Sequence, residues 1–447
     1  MVLSVLGVVL AFIALIYLTY KGAHLAYVTV LAVFIIMITS GMPIIDTWTN
    51  KAMSGVSNIA GTLLPLYLAG AIFGRILSDS GAADSFAQGL LSATTKRVSP
   101  ATARLFGALI IIGLGILMGV GGVDNFAILF TEIAIAASIM KTVNIPRRFL
   151  PVLIMLGTTT CALLPGAPSM INIIVAPIVG STPTAAPIPA LAGAVIMLSL
   201  SVFSLSKLWE KDVASGINFE YGPLKPARFD EKHLPPPYLL PIPVIIIFAA
   251  YNLLKLPAFF SLLIGLVISI ILFFNYLPIE EGESNKLIAK FRALLNAMNY
   301  GTEIAGMGAI IVLTLIIGFV VGETQAFKGL VTLCSNIKGP ALIVFAVAAV
   351  LIVGISASMS GLIITANVAK ELFIPVLGIS AGAAHRIIGA SSTVLDSLPF
   401  GTMVVMLLIL TGIKHKEGYP PIFIATVAYT FLGLVVTTIL CMIPGLA

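Results

Sequence analysis

Long apolar runs separated by short polar stretches dominate the chain, and a helix needs about 20 mainly apolar residues to cross a bilayer. The first part of the chain contains apolar helices or longer apolar segments at 2–20, 24–40, 56–78, 104–140, 149–180 and 187–206. The same order recurs in the second part at 238–253, 256–277, 300–322, 339–377, 382–412 and 420–443. The pattern therefore predicts an all-α polytopic membrane protein built from two repeats.

Two of these segments, 149–180 and 382–412, are interrupted halfway by glycine, proline, serine and threonine. Lipid cannot satisfy the backbone N–H and C=O groups that such an interruption frees, so broken helices survive only inside protein or beside a water-filled cavity. A matched pair of interrupted helices is typical of the substrate site of a secondary transporter. The two interruptions are therefore the first candidate for a binding site.

Glycines at matching places support the division into repeats. Gly122 and Gly354, like Gly157 and Gly389, are 232 residues apart. We predict a first repeat at 1–206, a polar linker at 207–237 and a second repeat at 238–447. Each repeat would contain three helices, a re-entrant hairpin, a broken helix and a final helix. Five crossings is an odd number, so the second repeat is predicted to be inverted relative to the first.

The basic residues predict the orientation. With both termini outside, 18 of the 24 lysines and arginines fall on the inner side and 6 on the outer side, as the positive-inside rule requires. We therefore expect a multi-pass protein of the cell (inner) membrane with a cytoplasmic linker.

The paired segments 104–140 and 339–377 leave two alternatives open, because each could be two full crossings or one re-entrant hairpin. Their turns, 119–125 and 354–361, are rich in glycine and small polar residues. Such turns, each followed in the sequence by an interrupted helix, favour hairpins.

Composition and charge exclude several other classes of protein. The chain is 59% hydrophobic and only 9% charged, and its net charge of +6 comes from cations near helix ends, which does not indicate nucleic-acid binding. Cys161, Cys334 and Cys441 have neither disulfide nor metal-ligand spacing. The four histidines lie near loops or helix ends, which argues against an intramembrane enzyme. No cofactor is predicted.

Three acidic residues in apolar surroundings are candidates for ion coupling: Asp124, Glu132 and Asp396. A charged side chain at the membrane centre costs roughly 2.5–3.5 kcal/mol on insertion scales, so it usually has a function there. Asp124 could instead cap the following helix. Glu132 could instead be a neutral carboxyl that is hydrogen-bonded inside the bundle.

Small, hydroxyl-bearing and positively charged residues near the turns and interruptions are candidates for substrate binding. They are Gly122, Val123, Asn125, Thr158, Thr159, Thr160, Pro165, Gly166, Ser169, Ser356, Ser358, Ser360, Ser391, Ser392, Thr393 and Arg386. Hydroxyls both donate and accept hydrogen bonds, and half-helices that begin after an interruption direct N–H groups at an anion. The alternative for a serine or threonine is a bond to its own helix backbone. For Arg386 it is an ordinary position at the headgroups, because its predicted place is near the outer end of a helix.

Three short motifs resemble the gluconate:proton symporter (GntP) family of the ion transporter superfamily. They are Gly121-Gly122-Val123-Asp124-Asn125-Phe126, Leu164-Pro165-Gly166-Ala167-Pro168 and Asp396-Ser397-Leu398-Pro399-Phe400-Gly401. The resemblance extends over most of the chain. It implies proton-coupled uptake of a hydroxy or other small organic acid, and a homodimer that works by an elevator motion.

The sequence thus predicts proton-coupled symport of a small organic anion, a hydroxy-monocarboxylate such as a gluconate- or lactate-like acid. The expected partners are this anion, the lipid bilayer and a second copy of the chain, and no nucleic acid. Sodium-coupled carboxylate symport remains an alternative, with ligands near Asn125 and Asn367, and an ion antiporter is a weaker one. A passive channel is the weakest alternative, because it would need a ring of like residues.

Overall fold

The computed structural model describes residues 2–21, 23–95, 98–120, 125–167, 169, 171–221, 233–254, 256–279, 285–314, 316–335, 339–356, 359–399 and 401–447. All regular elements that these residues form are helical. The prediction of an all-α protein is confirmed.

The described residues of the first half form ten α-helices. They are α1 (Val2–Tyr20), α2 (Leu25–Thr39), α3 (Ile44–Asp46), α4 (Ser54–Asp79), α5 (Ala82–Thr95), α6 (Pro100–Val120), α7 (Asn125–Val143), α8 (Leu150–Leu163), α9 (Ala176–Val179) and α10 (Pro187–Ala214). Wider π-helical turns at Thr47–Met53 and Ile171–Val175 lead into α4 and α9.

The second half repeats this order with small changes. Its helices are α11 (Pro241–Asn252), α12 (Ala258–Phe273), α13 (Lys286–Thr314), α14 (Ile316–Gly322), α15 (Gln325–Ser335), α16 (Ala341–Ser356), α17 (Met359–Val368), α18 (Ile374–Leu377), α19 (Ala381–Asp396), α20 (Thr402–Thr411), α21 (His415–Ile422) and α22 (Tyr429–Cys441). Further π-helical turns occupy Ala369–Phe373 and Phe423–Ala428.

Four of the described helical segments are long and apolar enough to cross a membrane: Pro100–Val120, Pro187–Ala214, Phe259–Tyr276 and His415–Cys441. The chain is therefore built as a multi-pass membrane protein. The first of the four is α6, one arm of the first paired segment. Its 21 residues are enough for a full crossing, so the choice between a hairpin and two crossings stays open.

Helices at matching places in the two halves pack against each other. The most extensive of these contacts join α4 to α13 and α10 to α22. Within the first half, α6, α7 and α8 pack together, and α16, α17 and α19 form the corresponding group in the second half. The two broken helices, α8 and α19, therefore occupy equivalent places. The inverted orientation of the halves stays a prediction.

Helix α10 continues to Ala214, eight residues into the stretch 207–237 that we predicted as a linker. This polar end is helical because its side chains are used in packing. Glu210 accepts two hydrogen bonds from Arg104 of α6, and Asp212 pairs with Arg148 next to α8. Trp209 is fully buried. Ion pairs with neighbouring helices thus extend α10 beyond its apolar part.

Helices α5 and α15 occupy segments that apolar length alone did not predict as helical. Both are too short and too polar to cross a bilayer. In α5 the residues Ala83, Ala87 and Leu91 are buried. Their spacing of four residues places them on one face of a helix, and that periodicity was a signal present in the sequence. Helix α13 begins at Lys286, earlier than the predicted 300. The prediction missed its first turns because they contain lysine and arginine, and apolar length does not detect such turns.

Candidate functional site

A buried asparagine stabilises the first interruption. Helix α8 ends at Leu163, and the next described helical turn begins at Ile171. The side chain of Asn172, which is 1% exposed, donates from Nδ2 to the carbonyl oxygens of Leu164 at 3.0 Å and Ala167 at 2.7 Å. Each of these oxygens also accepts a backbone N–H from within the interruption, so Asn172 adds a second hydrogen bond to both carbonyl groups.

Other groups support the same interruption. The hydroxyl of Ser169 donates to the carbonyl oxygen of Ala162 at 3.3 Å. The backbone N–H of Gly166 donates to the carbonyl oxygen of Pro183 at 2.8 Å. Gly166 has a φ of +79°, a conformation that glycine adopts without strain.

The second interruption lies between α19, which ends at Asp396, and α20, which begins at Thr402. The N–H of Gly401 donates to the carbonyl oxygen of Leu398 at 2.7 Å. The ring nitrogen Nε2 of His415 lies 3.0 Å from the carbonyl oxygen of Pro399. Protein groups therefore satisfy backbone oxygens at both interruptions.

The structure brings the two broken helices into contact. Helix α19 packs against α8 and against the π-helical turn Ile171–Val175. The approach is close at Gly389, where an added Cβ would lie 2.7 Å from Cγ2 of Ile171. The helical turn that follows the first interruption therefore lies beside the middle of α19.

Arg386 and His385 are the polar side chains of α19 at this contact. Arg386 is 4% exposed, so its side chain is packed inside the protein. It donates from Nε to the carbonyl oxygen of Ala185, from Nη1 to Oδ1 of Asn172 and from Nη2 to the carbonyl oxygen of Pro183, at 2.7, 2.8 and 2.5 Å. His385 Nδ1 and the hydroxyl of Ser181 hydrogen-bond at 2.8 Å. Direct substrate binding by Arg386 stays a prediction.

Glu132 is the buried acid of the site. It lies on α7, is fully buried, and neither carboxyl oxygen has a hydrogen-bond partner among the described residues. The carboxyl group lies against the backbone of Gly115 on α6, where an added Cβ would lie 3.0 Å from Oε2 of Glu132 and 3.1 Å from the Cα of Gly157 on α8. The four ion pairs found in the described part of the chain do not include Glu132.

The predicted hydroxyl cluster divides into two groups. Thr158, Ser392 and Thr393 donate to carbonyl oxygens of their own helices, which is the ordinary structural role. The hydroxyls of Thr160 and Ser391 are buried and have no partner among the described residues. Thr159 is also buried, and Pro165 is half-buried. Thr160 and Ser391 thus differ from their neighbours in having buried hydroxyls without a hydrogen bond in the described part of the chain, and ligand binding by them stays a prediction.

Several predicted site residues lie outside the described part of the chain. These are Gly122, Val123, Asp124 and Ser358, together with the side chains of Asn125, Ser356, Ser360 and Asp396. Their roles stay predictions. Among the residues that were searched, no group of three His, Cys, Asp or Glu side chains could hold a metal ion.

The sequence analysis missed Asn172, His385 and Gly115. Asn172 was detectable, since it is an amide inside the apolar run Ile171–Val175 directly after an interruption. The roles of His385 and Gly115 depend on which helices meet, and nothing in the local sequence indicated them.

Comparison with known proteins gives two similarities. No family model matches the chain. The chain is 26% identical to the uncharacterized transporter YxjC of Bacillus subtilis (strain 168), over 95% of this chain and 96% of that protein. Among solved structures, the YdaH transporter of Alcanivorax borkumensis aligns with 86% of each chain, at 14% identity and a TM-score of 0.34. This TM-score is too low to carry an argument about the fold.

Proposed function

We propose that this protein is a secondary active transporter that moves a small organic anion together with a proton. The observation that carries the proposal is Glu132, a fully buried acid with no hydrogen-bond or ion-pair partner among the described residues. The similarity to a transporter of Bacillus subtilis over nearly the whole chain supports the general function.

Glu132 is suited to carry the coupling proton. An ionised carboxylate without a partner is expensive to keep away from water, whereas the neutral acid is tolerated. Glu132 lies on α7 against Gly115 of α6, which itself touches Gly157 of α8, so a charge on Glu132 would act electrostatically on the broken helix. Protonation and the closed arrangement of this bundle would therefore favour each other.

The surroundings of the interruptions favour an anion as cargo. Arg386 is a buried cation whose partners at hydrogen-bond distance are neutral oxygens. Helix α20 begins at Thr402 directly after the second interruption, and the N-terminal end of a helix attracts negative charge. The unpartnered hydroxyls of Thr160 and Ser391 could form hydrogen bonds with the hydroxyl or carboxylate groups of a hydroxy acid.

The proposed cycle moves one monoanion with one proton and is electroneutral. Each further charge carried would add about 2.3 kcal/mol per 100 mV of membrane potential. The elevator motion, the homodimer and the cytoplasmic linker are parts of this proposal that follow from the family resemblance and from the charge distribution. An enzymatic activity is not part of it.

Uptake by purified protein in proteoliposomes tests the proposal, with radiolabelled gluconate and lactate as probes in sodium-free buffer. We expect an acidic exterior to drive accumulation of at least one probe, and an imposed membrane potential to leave the initial rate unchanged. Uptake that requires sodium, or that follows the membrane potential, would overturn proton coupling of one monoanion. Thermal stabilisation by neutral sugars or cations, with no organic acid active, would overturn the anionic cargo.

A further inference from the structure

A buried arginine of the second half is bonded to the first interruption through long-range contacts. Arg386 and its acceptors are 201 to 214 residues apart in the sequence. All three nitrogens of its guanidinium group donate to protein oxygens, two of which belong to the loop before α10. The planar group therefore has a fixed orientation.

Asn172 connects this arginine to the interruption itself. Its Oδ1 accepts from Arg386, while its Nδ2 donates to Leu164 and Ala167. Accepting from Arg386 determines which end of the amide faces the broken helix. The amide must then present its two N–H groups to the carbonyl oxygens of the interruption.

A direct contact between Arg386 and a carboxylate has little room in this arrangement. The cavity lined by His385, Arg386, Gly389 and Thr437 measures about 10 Å³, which holds about one water molecule. A bidentate carboxylate would have to displace the bonds to Asn172 and to the loop carbonyl groups. The geometry thus favours an indirect role for the arginine.

We propose that Arg386 is a positioning residue that acts through Asn172. By orienting the asparagine amide it sets the conformation of residues 164–167, and it ties this interruption to α19 of the other half. Its consequence for transport rests on the proposed function above, whereas its consequence for the conformation of the interruption does not.

Hydrogen–deuterium exchange of the full-length protein in detergent tests the conformational part. We expect exchange of the amides in 164–175 to rise by about tenfold or more in Asn172→Ala and in Arg386→Met, because both remove the bond between Arg386 and Asn172 that orients the amide. The double variant should exchange no faster than the faster single variant, since the two residues act as one unit. The matched control is Arg148→Lys, whose ion pair with Asp212 lies elsewhere; exchange in 164–175 should not change.

Conservative variants keep the test decisive if Arg386→Met does not fold. Asn172→Asp retains an acceptor for Arg386 but cannot donate to Leu164 and Ala167, so exchange in 164–175 should still rise. Arg386→Lys keeps the charge and loses the planar fork, so exchange in 164–175 should rise less than in Arg386→Met but should stay above that of the unmodified protein. Unchanged exchange in Asn172→Asp and Arg386→Lys, in a protein that is otherwise folded, overturns the proposal.

Uptake kinetics provide a readout that a purely structural role would not move. Loss of folded protein lowers the maximal rate, whereas a misplaced interruption raises the apparent KM for the probe. For gluconate or lactate, whichever the unmodified protein transports, we expect Asn172→Asp to raise the apparent KM by about tenfold with a smaller change in maximal rate. A lowered rate at unchanged KM overturns positioning. If the unmodified protein transports neither acid, the proposed function fails and exchange alone decides the role of Arg386.

Discussion

The backbones of Gly157 on α8 and Gly115 on α6 touch: a Cβ added to Gly157 would lie 3.0 Å from the Cα of Gly115 and 2.9 Å from the carbonyl oxygen of Ile112. This contact lets three helices meet at one point, because Glu132 of α7 lies against the same Gly115. The broken helix and the buried acid are thereby neighbours, although Glu132 and Gly157 are 25 residues apart in the sequence. Close approach through small residues is the usual way in which membrane helices associate.

Replacing Gly157 with alanine should destabilise this crossing. The added methyl group meets only backbone atoms, so two helices must move apart, which costs about 1–3 kcal/mol. We expect a lower thermal midpoint in detergent and a lower uptake rate for Gly157→Ala. The matched control is Gly113→Ala on α6, where an added Cβ meets no atom within 4 Å. Equal midpoints for the two variants would show that the crossing is not tightly packed.

Replacing Glu132 with glutamine should uncouple transport of the anion from the proton gradient. Glutamine has nearly the same shape and cannot release a proton, and within the described residues the buried acid has no ion-pair partner to lose. We expect Glu132→Gln to fold with a thermal midpoint at or above that of the unmodified protein. Its uptake should no longer be faster with an acidic exterior than at equal pH on both sides.

The control for this variant is Glu323→Gln, which removes an exposed carboxylate 3.4 Å from Lys51. Stimulation of uptake by an acidic exterior should survive this change. If it also survives in Glu132→Gln, then another acid carries the proton, and Asp124 and Asp396 become the residues to test.

Removing the unpartnered hydroxyls should affect transport more than stability. Thr160 and Ser391 have no hydrogen-bond partner among the described residues, so Thr160→Val and Ser391→Ala remove no bond of the folded protein and should leave the thermal midpoint nearly unchanged. If these hydroxyls bind the anion, each variant should raise the apparent KM for the probe by about tenfold, the effect of one lost hydrogen bond to a charged group.

The neighbouring residues provide matched controls for these hydroxyls. Thr158 and Ser392 donate to their own helices, so Thr158→Val and Ser392→Ala should leave the apparent KM unchanged. A change of the same size in all four variants would indicate a general effect on packing, and the assignment of Thr160 and Ser391 would then be wrong.

Breaking the ion pair between Arg104 and Glu210 should loosen the contact between the first turns of α6 and the last turns of α10. The pair has two parallel hydrogen bonds and its arginine side chain is only 10% exposed. Charge-assisted bonds of this kind contribute about 1.5–3 kcal/mol, so Glu210→Gln should lower the thermal midpoint. The comparison is Lys51→Met, whose pair with Glu323 is exposed and should contribute at most about 1 kcal/mol. An equal loss in both variants would contradict this ranking.

Apolar length predicted most helices well, because the requirement to cross a bilayer acts on each segment separately. Helix α1 was predicted at 2–20 and occupies Val2–Tyr20, and both interruptions fall within the predicted stretches. The polar ends of helices were less predictable. Helix α10 passes 206 because Glu210 and Asp212 find arginine partners on other helices, and no local pattern reveals such partners.

The chemistry of the candidate site was predictable only by residue type. The sequence showed that Glu132, Thr160 and Ser391 are polar groups in apolar segments, and it could not tell them from Thr158 or Ser392. The difference depends on whether a side chain turns back to its own helix or faces a neighbour, and this is decided by packing.

The sequence by itself determined the class of molecule, the places where two helices break and the residue types available there, since each follows from local hydrophobicity and backbone chemistry. Only the tertiary structure decided that Arg386 meets Asn172 across 214 residues, and that two glycines bring the broken helix to Glu132. Such contacts depend on which helix faces which, and that is an outcome of the packing of the whole chain.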